Sequence, residues 1–241
     1  MTSVSIVIPM RNEAENIGPL IAEIAEACAG LPDYEIVVVD DGSTDATADR
    51  ARALARQHPL RLVRHDRSGG QSAAVHSGVL AARAPVVCTL DGDGQNPPDE
   101  LPKLFEPILA DGSGRLGLVA GPRLGRRDTL SKRMASGWAN GVRSRLLKDG
   151  TRDTGCGLKG FRREAFLALP YFDHMHRYLP ALFKRDGWQV MLVDVAHRER
   201  MAGRSNYSNL QRGMVGLYDL IGVSRMTRRR KKASTVGEPE A

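Results

Sequence analysis

The sequence is poor in aromatic residues and in cysteine. Phe, Trp and Tyr make up 5% of its 241 residues, which leaves few rings on which nucleic-acid bases could stack. The three cysteines, Cys28, Cys88 and Cys156, are scattered, odd in number and without the spacing to histidine that zinc sites require. These absences argue against a nucleic-acid-binding module, so no nucleic acid is expected as a partner, and they indicate a reducing cytoplasm.

Long apolar runs are also missing. Nowhere do about 18 apolar residues follow one another, so no segment is expected to cross a bilayer as a helix. The sequence opens without the basic and apolar segments of a signal peptide, and any membrane role is expected to be peripheral. Positive charge, in contrast, is abundant. The formal net charge of +7 favours an anionic partner, whether nucleic acid, an acidic membrane surface or a phosphorylated substrate.

Strands and helices alternate in the first part of the chain. Short β-branched runs predict four buried strands, at Val4–Pro9, Glu35–Asp40, Leu60–His65 and Pro85–Leu90. Helices are predicted between them, the first with a capping box at 12–15 and apolar residues from 17 to 28. This order predicts an α/β fold with a mainly parallel sheet, and it places ligands at the carboxyl ends of the strands.

The pattern is looser after residue 101. It predicts helices ending at 110, over 129–147 and over 175–185, and strands over 116–121 and 188–195. A last helix carries Met214, Leu217 and Ile221 on one face and ends in a cluster of arginine and lysine. We expect a catalytic domain over 1–207, an amphipathic, basic membrane-surface helix over 208–232 and a disordered tail over 233–241. The alternative for 208–232 is a helix packed on the domain with a solvated end.

Two carboxylates, Asp91 and Asp93, follow the fourth predicted strand in the segment Asp-Gly-Asp-Gly-Gln95. Because they stand one residue apart, they can turn toward the same side. Hard oxygen ligands with open positions favour Mg²⁺ or Mn²⁺, which can neutralise charge on a departing nucleoside diphosphate. The segment therefore predicts a metal site at Asp91, Asp93 and Gln95, with Asp93 and Gln95 as the preferred direct ligands. The alternative is an ordinary turn rich in Asp and Gly.

Adjacent acids, Asp40 and Asp41, end the second predicted strand. They could accept hydrogen bonds from a base edge and a ribose hydroxyl, or they could belong to a turn in which Ser43 caps the next helix. Gly69-Gly70 could let the backbone approach a phosphate, although the full dinucleotide pattern and the P-loop lysine are absent.

Taken together, these segments carry a family resemblance. Four motifs occur in order at successive strand ends: Pro-Met-Arg-Asn-Glu13, Asp40-Asp-Gly-Ser-Thr-Asp45, Gly70-Gln-Ser-Ala-Ala74 and Asp91-Gly-Asp-Gly-Gln-Asn-Pro-Pro98. This series resembles the GT-A glycosyltransferases of family 2. Two later motifs, D-x-G-C-x-L-K at 153–159 and R-x-x-G-x-S at 200–205, are similar to those of polyprenyl-phosphate glycosyltransferases. The resemblance covers about residues 4 to 225.

The resemblance implies a GT-A, Rossmann-like fold and a set of site residues. The nucleotide pocket would be lined by Pro9, Arg11, Glu13, Asp40, Asp41 and Asp91, and the metal and diphosphate held by Asp91, Asp93 and Gln95. Arg123, Arg133 and Ser205 would face the acceptor phosphate, and Asp153, Asp93 and Arg200 would be catalytic. Arg200 and Ser205 would belong to a hairpin over the diphosphate, with Arg198 and Arg204 as alternatives; Asn206 departs from the lysine that is frequent there.

The implied reaction is inverting transfer of a sugar from a UDP- or GDP-sugar to a polyprenyl phosphate. The acceptor phosphate is largely dianionic at neutral pH and needs no strong base. Because a single displacement inverts the anomeric centre, Asp153 is expected to act as an orienting or base residue and not as a nucleophile. The expected location is peripheral, on the cytoplasmic side of the cell membrane, with a membrane-protein partner or a homo-oligomer as further possibilities. Rival hypotheses are a family 2 enzyme acting on a hydroxyl of a glycan or glycolipid, a sugar-nucleotide pyrophosphorylase, and an inactive scaffold.

Overall fold

The structure is a computed structural model that describes residues 2–123, 146–147, 150–151, 153, 155–198 and 209–229, with side chains from 218 onward in the last range. Its strands are β1 (Val4–Met10), β2 (Tyr34–Asp40), β3 (Leu60–Arg64), β4 (Val86–Thr89), β5 (Leu116–Ala120), β6 (Lys159–Arg162) and β7 (Gln189–Leu192). Its α-helices are α1 (Ile17–Ala27), α2 (Thr47–Leu54), α3 (Gln71–Ala81), α4 (Pro102–Leu109), α5 (Arg163–Leu167), α6 (Leu179–Arg185) and α7 (Asn209–Arg228). Single 3₁₀ turns lie at Pro98–Glu100 and Met175–Arg177.

The strands form one seven-stranded sheet in the order β3-β2-β1-β4-β6-β5-β7. All neighbours pair in parallel except β6, which runs antiparallel to both β4 and β5. The predicted α/β fold with a mainly parallel sheet is confirmed. Strand β6 was not predicted, because its sequence Lys-Gly-Phe-Arg has neither an apolar run nor a regular alternation.

The central strands are apolar because both faces of the sheet are covered. On β1, Ile6 and Ile8 pack with α1 and α4 on one face, and Val7 packs with α3 on the other. Each such side chain contributes about 1.5–3 kcal/mol when fully buried. Helix α3 lies very close to the sheet because Gly78 has no side chain: an added Cβ would collide with Val7. This packing fixes the N-terminus of α3 beside the carboxyl ends of β1 and β2.

The predicted capping box at 12–15 is wrong. Helix α1 begins at Ile17, five residues after Asn12, and no side chain caps its first turn. Asn12 has a positive φ of 55° and instead joins the loops after β1 and β2. Its backbone N–H donates to Ser43 Oγ (2.9 Å), and its Oδ1 accepts the N–H of Thr44 (2.8 Å). Ser43 is therefore a loop link; it does not cap α2.

The C-terminal helix α7 packs on the domain through part of its surface. Leu220 and Val223 are buried, whereas Ile221 is 50% exposed and Tyr218 is 81% exposed. Ile221 thus faces outward, and Met214 and Leu217 lie where only the backbone is described. The Nδ1 atom of His174 lies 3.0 Å from the Asp219 carboxylate and ties the helix to the domain. No helix in the described part of the chain is both long enough and apolar enough to cross a membrane.

Two further predictions concern later segments. The helix expected over 175–185 is divided into a 3₁₀ turn and α6, which begins with Pro180 in its first turn. The basic helix expected over 129–147 lies almost entirely outside the described residues, as does the tail 233–241.

Candidate active site

A polar cleft opens at the carboxyl ends of β1, β2 and β4, with a volume of about 300 Å³. Six of the predicted site residues line it: Pro9, Arg11, Glu13, Asp41, Asp91 and Asp93. Met10, Ser68, Gly70, Gln71, Ala74 and Gly92 complete the lining. The parallel strands bring these residues together because successive strand ends meet at one edge of the sheet.

The carboxylate of Asp91 is held from three sides. Its Oδ1 accepts a hydrogen bond from Gln71 Nε2 (2.7 Å), and its Oδ2 accepts one from Asn96 Nδ2 (3.1 Å). On the third side stands the backbone of Gly157, where an added Cβ would lie 2.5 Å from the carboxylate atoms. Thr89 Oγ1 donates to the Gly157 carbonyl (2.7 Å) and locks that backbone to β4. Asp91 therefore has little freedom to move.

The charges around Asp91 favour a bound cation. Burial raises the pKa of Asp91, and the neighbouring carboxylate of Asp93 raises it further, while Lys159 and Arg123 oppose both effects. Lys159 is itself buried, which lowers its pKa, and its Nζ donates to the Cys156 carbonyl. Two partly buried carboxylates that repel each other form a suitable site for a divalent ion with hard oxygen ligands.

The donor set fits Mg²⁺ or Mn²⁺ held by few protein ligands. Within the described ranges, no group of three His, Cys, Asp or Glu side chains could hold a metal. Asp91 and Asp93 would thus supply the protein ligands described here, which suits an ion that keeps water and substrate phosphates in its coordination shell. Gln95 is not part of the cleft lining; its backbone N–H donates to Asp93 Oδ1 (3.1 Å). Its predicted role as a direct ligand stays a prediction.

A second charged pair, Arg123 and Asp153, lies between β5 and the segment before β6. Arg123 Nε is 2.6 Å from Asp153 Oδ2, and its Nη2 is 3.1 Å from Oδ1, so the pairing is bidentate. Burial raises the pKa of Asp153, but the hydrogen bonds and charge of Arg123 outweigh it and leave that pKa lowered. The sequence did not reveal this pair, because the two residues stand 30 positions apart and no spacing rule links them.

The carboxylates of the two adjacent acids at the end of β2, Asp40 and Asp41, both accept hydrogen bonds from other parts of the protein. Asp40 is fully buried; its Oδ1 accepts the N–H of Ser43 (3.0 Å), and its Oδ2 accepts Arg64 Nε (3.1 Å). Asp40 is not among the cleft-lining residues. Asp41 does line the cleft, yet its carboxylate also accepts several hydrogen bonds from the loop before α3.

Three predicted residues, Arg133, Arg200 and Ser205, lie outside the described residues, as does the alternative Arg204. The other alternative, Arg198, is described. Its Nη1 is 2.9 Å from Glu23, its side chain donates to the Gly94 carbonyl, and its backbone N–H donates to the Gln95 carbonyl (3.1 Å). Arg198 thus holds the segment after β7 against the loop that carries Asp93.

Sequence reasoning missed four residues of this site: Gln71, Asn96, Gly157 and Lys159. Gln71 and Asn96 stand inside two of the four motifs at the strand ends, and Gly157 and Lys159 stand inside the D-x-G-C-x-L-K motif. Their position was visible in the sequence, but their common partner was not. Only the fold brings Gln71, Asn96 and Gly157 to the same carboxylate.

Comparison with known proteins agrees with this geometry. The sequence profile described as "Glycosyl transferase family 2" matches residues 5–169. The chain belongs to glycosyl transferase family 2. This family 2 member is 33% identical over 231 residues to the dodecaprenyl-phosphate galacturonate synthase of Rhizobium johnstonii, an alignment that covers 91% of this chain and 65% of that protein. It is 36% identical over 225 residues to the undecaprenyl-phosphate 4-deoxy-4-formamido-L-arabinose transferase of Pectobacterium carotovorum, covering 91% and 66%.

The family 2 chain spans just under two thirds of the length of these relatives. Among solved structures, it is similar to glucosyl-3-phosphoglycerate synthase from Mycobacterium tuberculosis in complex with Mn²⁺, UDP and glucosyl-3-phosphoglycerate. That match has a TM-score of 0.70 at 21% identity and covers 94% of this chain and 80% of the other. The same synthase has also been crystallised with Mg²⁺ and UDP. The predicted family and the GT-A fold are confirmed.

Proposed function

We propose that this protein is an inverting glycosyltransferase that moves a sugar from a UDP- or GDP-sugar to a polyprenyl phosphate. The proposal depends on the observation that two charged sites, the cleft with Asp91 and Asp93 and the ion pair of Arg123 with Asp153, lie next to each other. Asp91 and Asp93 line the donor cleft, and the segment of Asp153 and Gly157 joins that cleft to Arg123. One site suits a nucleoside diphosphate with its metal, and the other offers a cation to a second anion. The relatives named above act, by their names, on dodecaprenyl and undecaprenyl phosphate.

The donor would lie along the cleft at the ends of β1 and β4. Pro9, Arg11 and Glu13 line the wall on the β1 side, where they can contact the nucleoside. Asp91 and Asp93 would hold Mg²⁺ or Mn²⁺, which when bound neutralises charge on the leaving diphosphate. Gln71 and Asn96 keep the Asp91 carboxylate in one orientation through their amide groups. This arrangement costs little reorganisation when the diphosphate departs.

The acceptor would approach from the side of Arg123. A phosphate monoester has a second pKa of about 6, so it is largely dianionic at neutral pH and attacks without a strong base. An oxygen of the acceptor phosphate forms a bond to the anomeric carbon while the bond from that carbon to the diphosphate breaks on the opposite face. The configuration of the sugar is therefore inverted.

The state of Asp153 favours a phosphate acceptor over a hydroxyl acceptor. A hydroxyl needs a base that takes its proton, and the pairing with Arg123 lowers the pKa of Asp153 and makes it a weak base. A dianionic phosphate needs no such base. Asp153 would then orient the Arg123 guanidinium toward the incoming phosphate. The lowered pKa of Asp153 therefore supports the polyprenyl-phosphate acceptor and makes a glycan or glycolipid hydroxyl the second candidate.

The enzyme would act at the cytoplasmic face of the membrane through helix α7. On its outward face, Tyr218 and Ile221 are followed by Arg225 and Arg228, and Arg229 comes directly after the helix; all five side chains are exposed. An aromatic and an aliphatic side chain beside several arginines suit the interface of an anionic leaflet, where each basic residue contributes about 1 kcal/mol. A membrane-protein partner or a homo-oligomer would add further attachment.

The test is a panel of radiolabelled UDP- and GDP-sugars with undecaprenyl phosphate and Mn²⁺ or Mg²⁺. We expect labelled lipid in the organic phase with one donor, and its loss when EDTA is added. Asp93→Asn should abolish the product, whereas Asp99→Asn, a change of an exposed acid outside the cleft, should not. No transfer from any donor would refute the proposal. Transfer only to a phosphate-free glycan or glycolipid would establish the second candidate instead.

A further inference from the structure

Lys159 is buried in the sheet between the two strands that lead to the charged sites. Only 4% of the residue is exposed. In β6 it pairs with Thr89 of β4, which stands two residues before Asp91. On its other side it pairs with Ala120 of β5, which stands three residues before Arg123. Lys159 therefore lies between the strand that enters the donor cleft and the strand that ends near the ion pair.

Packing does not explain a lysine at this position. Phe161, two residues further along β6, has its side chain on the same face of the sheet and stacks on Phe166 in the apolar core, with ring centroids 4.8 Å apart. An apolar side chain at residue 159 would continue this core. A buried ammonium group instead loses its hydration, which is unfavourable unless anionic groups nearby compensate it. The lysine thus indicates a local need for positive charge.

The ammonium group of Lys159 acts on a carboxylate of each charged site. Among the described residues, its hydrogen-bond partner is the Cys156 carbonyl, to which Nζ donates. Burial lowers the pKa of Lys159, and the charges of Asp91 and Asp153 oppose this effect. In return, the charge of Lys159 opposes the rise that burial and Asp93 cause in the pKa of Asp91. Lys159 therefore supplies positive charge where the carboxylates of the cleft repel each other.

The backbone before β6 gives Lys159 a second connection to Asp91. Cys156, whose carbonyl accepts the bond from Lys159, directly precedes Gly157, and Gly157 stands against the Asp91 carboxylate. The carbonyl of Gly157 is in turn held by Thr89 Oγ1 at 2.7 Å. The turn of Cys156 and Gly157 is therefore fixed at two successive carbonyl groups, one of them by the lysine.

We infer that Lys159 is a positioning residue whose buried ammonium group balances the charge of Asp91 and Asp93 before a metal ion binds and holds the turn of Cys156 and Gly157 against Asp91. The inference rests on the proposed function, since it concerns the same metal site. Two carboxylates that line one cleft repel each other in the absence of a cation. With an ammonium group beside them, they can keep one arrangement until the metal and the donor arrive.

A double-mutant cycle on the melting temperature, measured without nucleotide or lipid, tests this inference. Lys159→Met removes the charge but keeps a long unbranched side chain, and it should lower the melting temperature by about 6 °C or more. In the Asp91→Asn background the same change should lower it by less than half as much, because the carboxylate that the ammonium group balances is gone. Equal losses in both backgrounds would indicate a role in packing alone and would overturn the inference.

Mn²⁺ provides a second measurement, because a metal ion can replace the missing charge. Saturating Mn²⁺ should raise the melting temperature of Lys159→Met more than that of the unmodified protein. Lys159→Arg keeps the charge and should respond to Mn²⁺ as the unmodified protein does. Equal responses of Lys159→Met and the unmodified protein would contradict the charge-balancing role. Lys103→Met removes a half-exposed lysine that pairs with Glu100, and as the control it should lose the same stability in both backgrounds.

The double variant also covers the case in which Lys159→Met does not fold alone. Combination with Asp91→Asn should then restore folding, and failure of the double variant to fold would overturn the inference.

These measurements are separate from the test of the proposed function. If the protein transfers sugar to the lipid but the cycle is additive, the function stands and only the role of Lys159 is lost. If the cycle shows coupling but no donor yields a product, the proposed function fails and the balance of charge between Lys159 and Asp91 stands.

Discussion

Gly157 lies directly against the carboxylate of Asp91, so close that a Cβ atom at residue 157 would stand 2.5 Å from it. Neither partner can easily withdraw. The Gly157 carbonyl is bonded to Thr89 Oγ1, and the two carboxylate oxygens are bonded to Gln71 and Asn96. Absence of a side chain at residue 157 is therefore a condition for the position of Asp91.

Replacement of this glycine should damage catalysis more than folding. We expect Gly157→Ala to lower turnover by about 100-fold, because a shift of a site group by about 1 Å has that order of effect. The melting temperature should change far less than the activity. Gly112→Ala is the control, since nothing lies within 4 Å of a Cβ added there. Full activity of Gly157→Ala would show that Asp91 can move without consequence.

The fall in turnover at acidic pH, the acid limb of the pH–rate profile, should follow the pKa of the acceptor phosphate and not the pKa of an enzyme side chain. Because Arg123 lowers the pKa of Asp153, this carboxyl is already ionised well below pH 6. The acceptor phosphate, with a second pKa of about 6, should therefore set the limb. Asp153→Asn should lower turnover by up to about 100-fold, because Arg123 loses its orientation, and should leave the limb in place. Loss of the limb in this variant would identify Asp153 as the base.

Protein stability should depend on pH through His176. Burial lowers the pKa of this histidine well below its usual value, and its Nδ1 lies 2.7 Å from Ser72 Oγ on α3. The folded state therefore keeps His176 neutral while the unfolded chain takes up a proton below about pH 6.5. Stability is thus present at neutral pH and should fall with falling pH, by at most about 1.4 kcal/mol per pH unit from this residue.

Chemical denaturation at about pH 5 and pH 7.5 measures this dependence. His176→Asn should give a smaller difference between the two free energies of unfolding than the unmodified protein does. An equal difference in both proteins would mean that His176 does not titrate on unfolding. His58→Asn serves as a comparison that leaves the contact with Ser72 intact.

Membrane binding should depend on the outward face of α7. Combined replacement of Arg225 and Arg228 by alanine should weaken binding to vesicles with anionic phosphatidylglycerol by about 30-fold, since about 2 kcal/mol is lost. Tyr218→Ser should weaken it further, because this side chain is 81% exposed. Cosedimentation gives the affinities, and Arg56→Ala, on an exposed site elsewhere, is the control. If a chain truncated after Tyr207 binds the vesicles as tightly as the full chain does, α7 is excluded as the membrane attachment.

The sequence predicted those parts of the fold whose side chains carry a local pattern. Strands β1 and β2 are mostly apolar because they are buried on both faces of the sheet. The predicted ends of these strands placed Asp41 and the loop after β1 at the edge of the sheet where the cleft lies. Strand β6 was not predicted from the sequence, because it is short and has a charged residue at each end. Its existence depends on pairing with β4 and β5, which are distant in the chain.

The site was predicted by residue type but not by partner. Asp91 and Asp93 lie in the cleft as expected, since carboxylates after a buried strand lie at the edge where ligands bind. The hydrogen bonds of Asp41 could not be predicted, because its four partners lie 24–29 residues away in the chain. Whether a carboxylate faces a ligand or its own backbone is decided by loop geometry, which no local pattern encodes.

Because β6 runs antiparallel to β5, the two ends of the connection between these strands lie side by side. Two contacts hold these ends together. The Gly121 N–H donates to the Leu158 carbonyl (3.0 Å), and Arg123 forms an ion pair with Asp153. A connection whose ends are fixed to each other can change in length at a small entropic cost. A change in the number of residues between Arg123 and Asp153 should therefore cost little stability, about 0.6 kcal/mol for each doubling of that length.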